Sequence, residues 1–351
     1  MNSIAMILKR LKFLVLCGTL AVTCVATVYL YSQKEANRRN GFIRLLPPHL
    51  LLPGKTYDLR YNSFYIAGLT SKTIYLASFT SPFLLSELSY DLKQKLDMQI
   101  NWSNEYKIHK SAYIIVDSPF VYLNDGFDRR RFETRLADDH KIILYNTPVF
   151  TASSNIGTQI WIDRCINGKG NNFLMKINRD GKTSKIDTSL LQKQGEGIFS
   201  TDGIFVKIPQ SDKFYYIYYY RNEVLCIDSN LDLAFKTKTI DTISRAHISV
   251  AKVNSDNSLT LSSPPLLVNR MGFANEKYLF VNSKLAANNE NRELLDRMQI
   301  IDVYYVKNGK YRFSFYLPQL ARKKANDFKV YGNSLVAIYD HYITVYKLNF
   351  E

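Results

Sequence analysis

The residues of this chain that could do chemistry are few and scattered. Five histidines, His49, His109, His140, His247 and His341, stand without His-x-x-x-His or His-Glu-x-x-His spacing, and Cys17, Cys24, Cys165 and Cys226 form no Cys-x-x-Cys pair. A zinc site encoded in one segment is therefore not expected. Asp340-His341 and Asp138-Asp139-His140 put a carboxylate beside an imidazole. Adjacent strand residues point to opposite faces, so such pairs read as turns rather than acid–base dyads. Asn178-x-Asp180-Gly181 has the opening of a calcium loop, but the twelfth position, where a bidentate Glu is needed, is Ser189, and Asp-Gly is a strong hairpin signal. No phosphate-binding Gly-x-x-x-x-Gly-Lys, no Gly-x-Gly-x-x-Gly and no Gly-x-Ser-x-Gly nucleophile elbow occurs. The sequence thus points to no resident cofactor.

Anion recognition has better material. Arg129, Arg130 and Arg131 follow Asp128, and Arg245 and His247 lie in the polar stretch after Asp241. Guanidinium forks suit carboxylate or phosphate, although a solvated loop and a salt-bridged strand end account for the same residues. The candidate ligand contacts are Arg129, Arg130, Arg131, Arg245, His247, Asp340 and His341.

The elements that must position them begin with the composition. Of 351 residues, 25 are Tyr and 20 are Phe, and hydrophobic residues make up 46%, so the chain can build a large core and is not disordered. Four cysteines are too few for a disulfide scaffold. Lys and Arg exceed Asp and Glu by 46 to 31, a net +15 that favours anionic company.

Phe13 to Tyr31 is an unbroken uncharged run behind Lys9, Arg10 and Lys12. At 1.5 Å per residue a helix of about 20 residues crosses a hydrocarbon core of roughly 30 Å. The basic flank keeps residues 1–12 in the cytoplasm, so residues 13–31 read as a transmembrane signal-anchor. The apolar core exceeds that of a cleaved signal peptide, and Cys24-Val25-Ala26 is a poor cleavage site. Residues 32–56, with Arg38, Arg39, Arg44 and Pro47-Pro48, read as a juxtamembrane linker, and residues 57–351 as an extracytoplasmic domain.

That domain consists of short apolar and aromatic runs separated by Asn, Asp, Ser, Gly and Pro, the pattern of strands. Phe64–Leu69 with Thr73–Phe79, Phe173–Ile177 with Ser184–Asp187, and Phe214–Tyr220 with Val224–Ile227 read as hairpins. The tyrosines at 215, 216 and 218 to 220 fit a strand buried on both faces. Helical periodicity is confined to short pieces such as Asn289–Met298. A loose repeat of aromatic strand, turn and second strand near an acidic residue recurs around Phe214, Tyr278 and Leu335. With blades of roughly 40–50 residues, this predicts an all-β propeller of about six or seven blades, the alternative being a large antiparallel β-sandwich. Cys165 and Cys226 are left open as a disulfide or as two buried thiols.

The steps Leu225-Cys-Ile-Asp-Ser-Asn-Leu231 and Ile300-Ile-Asp-Val303 resemble those of six-bladed TolB-like propellers of bacterial envelope proteins. One membrane segment ahead of such blades resembles the layout of bacterial membrane-anchored proteins of that type, over roughly Asn62 to Phe350. The resemblance implies an architecture and an envelope binding role, and since the architecture also hosts enzymes it implies no mechanism. The expected function is therefore a membrane-anchored binding or scaffolding module. Its expected site is the extracytoplasmic, periplasmic face of the cytoplasmic membrane, with an envelope protein, anionic lipid or glycan as partner and no nucleic acid. The alternative is a propeller hydrolase or lactonase with calcium held on the axis by residues from separate blades.

Overall fold

The structure, a computed structural model, describes residues 2–36, 41–102, 105–157, 160–253 and 259–350. The chain divides into two units, Met1–Gly41 and Phe42–Glu351. The first holds one helix, Asn2–Ala36, of which Arg10–Leu30 is long and apolar enough to cross a membrane. Its apolar side chains are exposed along that stretch. The hydroxyls of Thr19, Thr23 and Thr27 donate to the carbonyls of Leu16, Thr19 and Thr23 at 2.7–2.9 Å. These bonds satisfy the three threonine hydroxyls of that run within the helix, which suits a hydrocarbon surrounding.

The second unit is a six-bladed propeller. Six four-stranded antiparallel sheets follow one another along the chain, and a two-stranded sheet lies between the fourth and fifth. The inner strands are Phe64–Leu69, Tyr113–Asp117, Ala152–Ile156, Gly203–Lys207, Asn269–Ala274 and Asp327–Tyr331, for blades 1 to 6. Blade 6 is completed by Leu51–Asp58, which pairs with Tyr342–Leu348 and so closes the ring by hydrogen bonds between the two ends of the domain. The expected hairpins form, among them Phe64–Leu69 with Thr73–Ser78 and Lys213–Tyr218 with Glu223–Asp228. The β-sandwich alternative is replaced by the ring.

The linker expectation is corrected over residues 42–56. Phe42 and Arg44 are buried, and Leu51–Asp58 is the outermost strand of blade 6. Pro47-Pro48 and the surrounding basic residues look like a stalk because an outer strand has one exposed face and little apolar pattern. Its pairing partner lies nearly 300 residues away in sequence.

Burial follows position in the blade. Second strands such as Phe120–Asp125 and Tyr278–Ser283 are buried throughout, whereas outer strands such as Leu233–Lys238 are largely exposed. This explains the tyrosine run: Tyr215, Tyr216 and Tyr218 sit in a second strand with both faces covered by neighbouring blades. Each of the six seams between blades has its own apolar cluster. Between blades 5 and 6, for example, Phe280, Phe315 and Leu317 pack with Leu335, Ala337 and Tyr339. Close approach of inner strands demands glycine at Gly68, where a Cβ would stand 2.3 Å from the carbonyl oxygen of Val116.

The antiparallel order gives the propeller two unlike ends. At the end where inner strands begin, here the entry end, lie the crossings 100–112, 188–202, 239–268 and 319–326 and the insertion 284–297 with its short helix Arg292–Arg297. The opposite, exit end carries tight turns such as 70–72, 136–137, 179–182 and 332–333.

Candidate functional site

The candidates from sequence are placed on separate parts of the ring. Arg129 is exposed at φ +60° in the turn after the second strand of blade 2. Arg130 is half-buried over the Tyr106 ring at 4.4 Å and donates to the Lys107 carbonyl. Arg131 is buried in the seam to blade 3, donating to Asn124 at 2.6 Å and to Asp163 and Ser153 at 2.8 Å, with its guanidinium 3.9 Å above the Trp161 ring. Arg245 and His247 are exposed in the crossing from blade 4 to blade 5. Asp340 and His341 form the two-residue turn between the last two strands, 3.6 Å apart, with Asp340 at φ +53°. No hydrogen bond, ion pair or ring contact joins these three groups among the described residues. The side chains of Asp138, Asp139 and His140 lie outside the described residues.

The calcium-like segment is a hairpin turn: Gly181, at φ +81°, donates its N–H to the Asn178 carbonyl, and Asn178 donates to that of Lys182. Among the described residues no group of three His, Cys, Asp or Glu side chains gathers as for a metal ion. Cys165 and Cys226 are buried free thiols in different seams, pushed up to about 12 and about 11 by burial.

Polar groups that do meet come from residues the sequence reading passed over. Four buried arginines cross-link the domain: Arg131 and Arg164 bridge blades 2 to 3 and 3 to 4, Arg221 ties blade 4 to the crossing before it, and Arg44 ties residues 42–50 to blade 5. Arg44 holds Asp302 in a fork at 2.7 and 3.0 Å, and also donates to Glu290, Ser283 and the Leu285 carbonyl. Arg164 of blade 3 reaches Asp202, the Gly203 carbonyl and the Tyr216 hydroxyl of blade 4. Arg221 donates to Glu223 and to the carbonyls of Ser200 and Gln192, above the Tyr218 ring at 3.4 Å. With Arg131 these form closed networks, each charge opposed by a carboxylate.

Two further groups lie on the inner strands. Toward the exit end, Asp117 of blade 2 accepts from Asn155 of blade 3 at 2.5 Å and from Lys207 of blade 4 at 2.7 Å, so three blades converge on one half-exposed carboxylate. Toward the entry end, blades 5 and 6 bring Arg270, Lys284 and Lys324 into one neighbourhood, and Lys329 lies farther along the inner strand of blade 6. Arg270 donates to the Ala325 carbonyl at 3.4 Å, beside Lys324. Lys284 follows Ser283, the pairing partner of Asn269, and donates its N–H to Val268. Lys324 donates to the Leu295 carbonyl at 2.5 Å, and the Lys329 ammonium lies 5.9 Å from the Phe273 ring. None of the four is within ion-pair distance of a carboxylate among the described residues. Desolvation and then the charges of Arg270 and Lys324 hold Lys284 below the usual lysine range. Burial does the same for Lys329, and attraction to Asp327 offsets it in part. The signal in sequence was a lysine inside an otherwise apolar strand, Phe328-Lys329-Val330 and Val206-Lys207-Ile208.

A cavity of about 420 Å³ lies beside blade 3, lined by Asn167, Asn171, Asn172, Thr188, Gln192 and Thr201 among others. Its amides are largely engaged internally: Asn172 donates to Ile198 and Thr201, and Asn167 accepts from the N–H groups of Lys169 and Asn171.

The propeller is similar to virginiamycin B lyase from Staphylococcus aureus, with a TM-score of 0.50 at 10% identity over 84% of this chain and 99% of that one. It is also similar to a putative exported protein from Bacteroides fragilis, with a TM-score of 0.50 at 9% identity over 88% and 95% of the two chains. At such identities the likeness carries the fold and no activity. No family model and no curated protein sequence matches the chain.

Proposed function

We propose that the protein is a binding module held in the cytoplasmic membrane by its N-terminal helix, with the TolB-like propeller on the extracytoplasmic, periplasmic side. The observation that carries the binding reading is the contrast between cations. The buried arginines are opposed by carboxylates inside the protein, while Arg270, Lys284 and Lys324 at the entry end of blades 5 and 6 have no carboxylate within ion-pair distance among the described residues. Long crossings around that end supply variable surface for a partner, as loops on a rigid scaffold commonly do. Lys9, Arg10 and Lys12 ahead of the apolar run support an N-terminus in the cytoplasm.

Two measurements test this reading. A reporter enzyme active only outside the cytoplasm, fused after Glu351, is expected to be active in cells; activity confined to a cytoplasmic reporter overturns the topology. The detergent-solubilised full chain, titrated with calcium, is expected to keep its melting temperature, whereas a saturable rise supports a calcium-dependent propeller enzyme instead.

A further inference from the structure

We propose that the entry end of blades 5 and 6 is a site for a phosphate group, formed by Arg270, Lys284 and Lys324, with Lys329, farther along the inner strand of blade 6, outside it. This deepens the binding reading above and rests on it.

Three observations converge. First, the three rim cations come from three separate segments: the inner strand of blade 5, the start of the insertion 284–297 and the crossing 319–326. Their grouping is therefore produced by the fold and is no basic run in sequence. Second, these partly exposed cations repel one another, a repulsion that a bound anion would relieve. Elsewhere in this protein buried cations are given carboxylates, as Arg44 is given Asp302 and Arg131 is given Asp163. The carboxylate on the inner strands of blades 5 and 6, Asp327, has one oxygen accepting the Ile66 N–H of blade 1 and does not pair with any of the three. Third, the backbone contacts hold the donors at defined places. Arg270 is steadied by Ala325 and Lys324 by Leu295, each through a bond to a carbonyl that leaves other N–H groups free. A guanidinium fork with two ammonium groups matches the charge and the oxygens of a phosphate dianion better than a single carboxylate.

The phosphate could be carried by a lipid headgroup or by a soluble compound, and the experiment separates the two. The detergent-solubilised full chain is titrated calorimetrically with inorganic pyrophosphate, with dioctanoyl phosphatidic acid and with succinate, at about 0.15 M salt so that diffuse attraction is screened. Saturable binding of at least one phosphate probe is expected, weakened about tenfold or more in the Lys284→Gln/Lys324→Gln variant and in Arg270→Gln. The control, Lys176→Gln/Lys185→Gln, removes equal charge from blade 3 and is expected to bind as the unmodified protein does. Phosphatidic acid alone binding assigns the lipid source, and pyrophosphate binding assigns the soluble one. No saturable phosphate binding, equal binding by the rim variants, equal weakening in the blade 3 control, or tighter binding of succinate overturns the proposal. Lys284 is exposed and Lys324 is half-buried at the surface, so the rim variants are expected to fold, and an unchanged melting temperature checks this. Failure here leaves the binding-module reading standing, since that reading falls with the topology and calcium measurements.

Discussion

Two sets of cations divide this propeller. Inside the domain, Arg44, Arg131, Arg164 and Arg221 are almost wholly enclosed, and each meets a carboxylate as well as neutral acceptors. At the entry end of blades 5 and 6, Arg270 and Lys324 meet carbonyls, and neither they nor Lys284 have a carboxylate within ion-pair distance among the described residues. The difference separates structure from recognition. A buried charge answered by fixed partners locks two segments together, and removing one side leaves the other stranded. A cation without such a partner contributes little to the fold, and its free donors are available to a ligand.

The largest expected effect comes from the first set. Arg44→Ala strands the buried carboxylates of Asp302 and Glu290 and is expected to lose about 3–5 kcal/mol in urea unfolding. A loss below about 1 kcal/mol would show that the network is incidental and would break the division. Next is Gly68→Ala, a purely steric test of the ring. Its Cβ has to push against the Val116 carbonyl, at an expected cost of about 1–3 kcal/mol by the same measurement.

Lys329→Met sharpens the comparison from the other side, with the opposite sign. Burial lowers the lysine's affinity for its proton in the folded state, so the unfolded chain holds more protons between that lowered value and the ordinary lysine range. The penalty is complete below the folded value and disappears as pH rises through the unfolded one. The methionine variant is thus expected to melt higher than the unmodified protein at pH 7, with the advantage shrinking toward strongly alkaline pH. A lower melting temperature at pH 7 would mean that Lys329 has a structural task. The smallest effect is expected for Lys185→Ala. Its exposed bridge to Asp232, at 2.8 Å, should be worth no more than about 0.5 kcal/mol in unfolding.

Much of the propeller was legible because its hairpins are local. Asp180-Gly181 turns where such a pair should, the tyrosines near Phe214 are buried on both faces, and Asn291 caps a two-turn helix inside Asn289–Met298. The closing strand was not legible, because Leu51–Asp58 has no turn joining it to Tyr342–Leu348 and only ring closure brings them together. The arginines were legible as anion binders but not as to which anion: Arg131 was singled out, and its anion proved to be Asp163 of the next blade. Arg44, placed in a stalk by its sequence neighbours, is among the most enclosed side chains of the chain.

The sequence by itself determined the long apolar helix at the N-terminus, the all-β character of the domain after it, the hairpins and the surplus of positive charge. These depend on neighbours a few residues apart, through periodicity, turn chemistry and composition. The tertiary structure decided the number of blades, how the ring closes, which cations are answered by carboxylates and which are left facing the entry end. Those outcomes depend on contacts between inner strands tens to hundreds of residues apart, where a change of register by one residue would turn every side chain to the other face. Lys207 of blade 4 meeting Asp117 of blade 2 is a contact that only the closed ring creates.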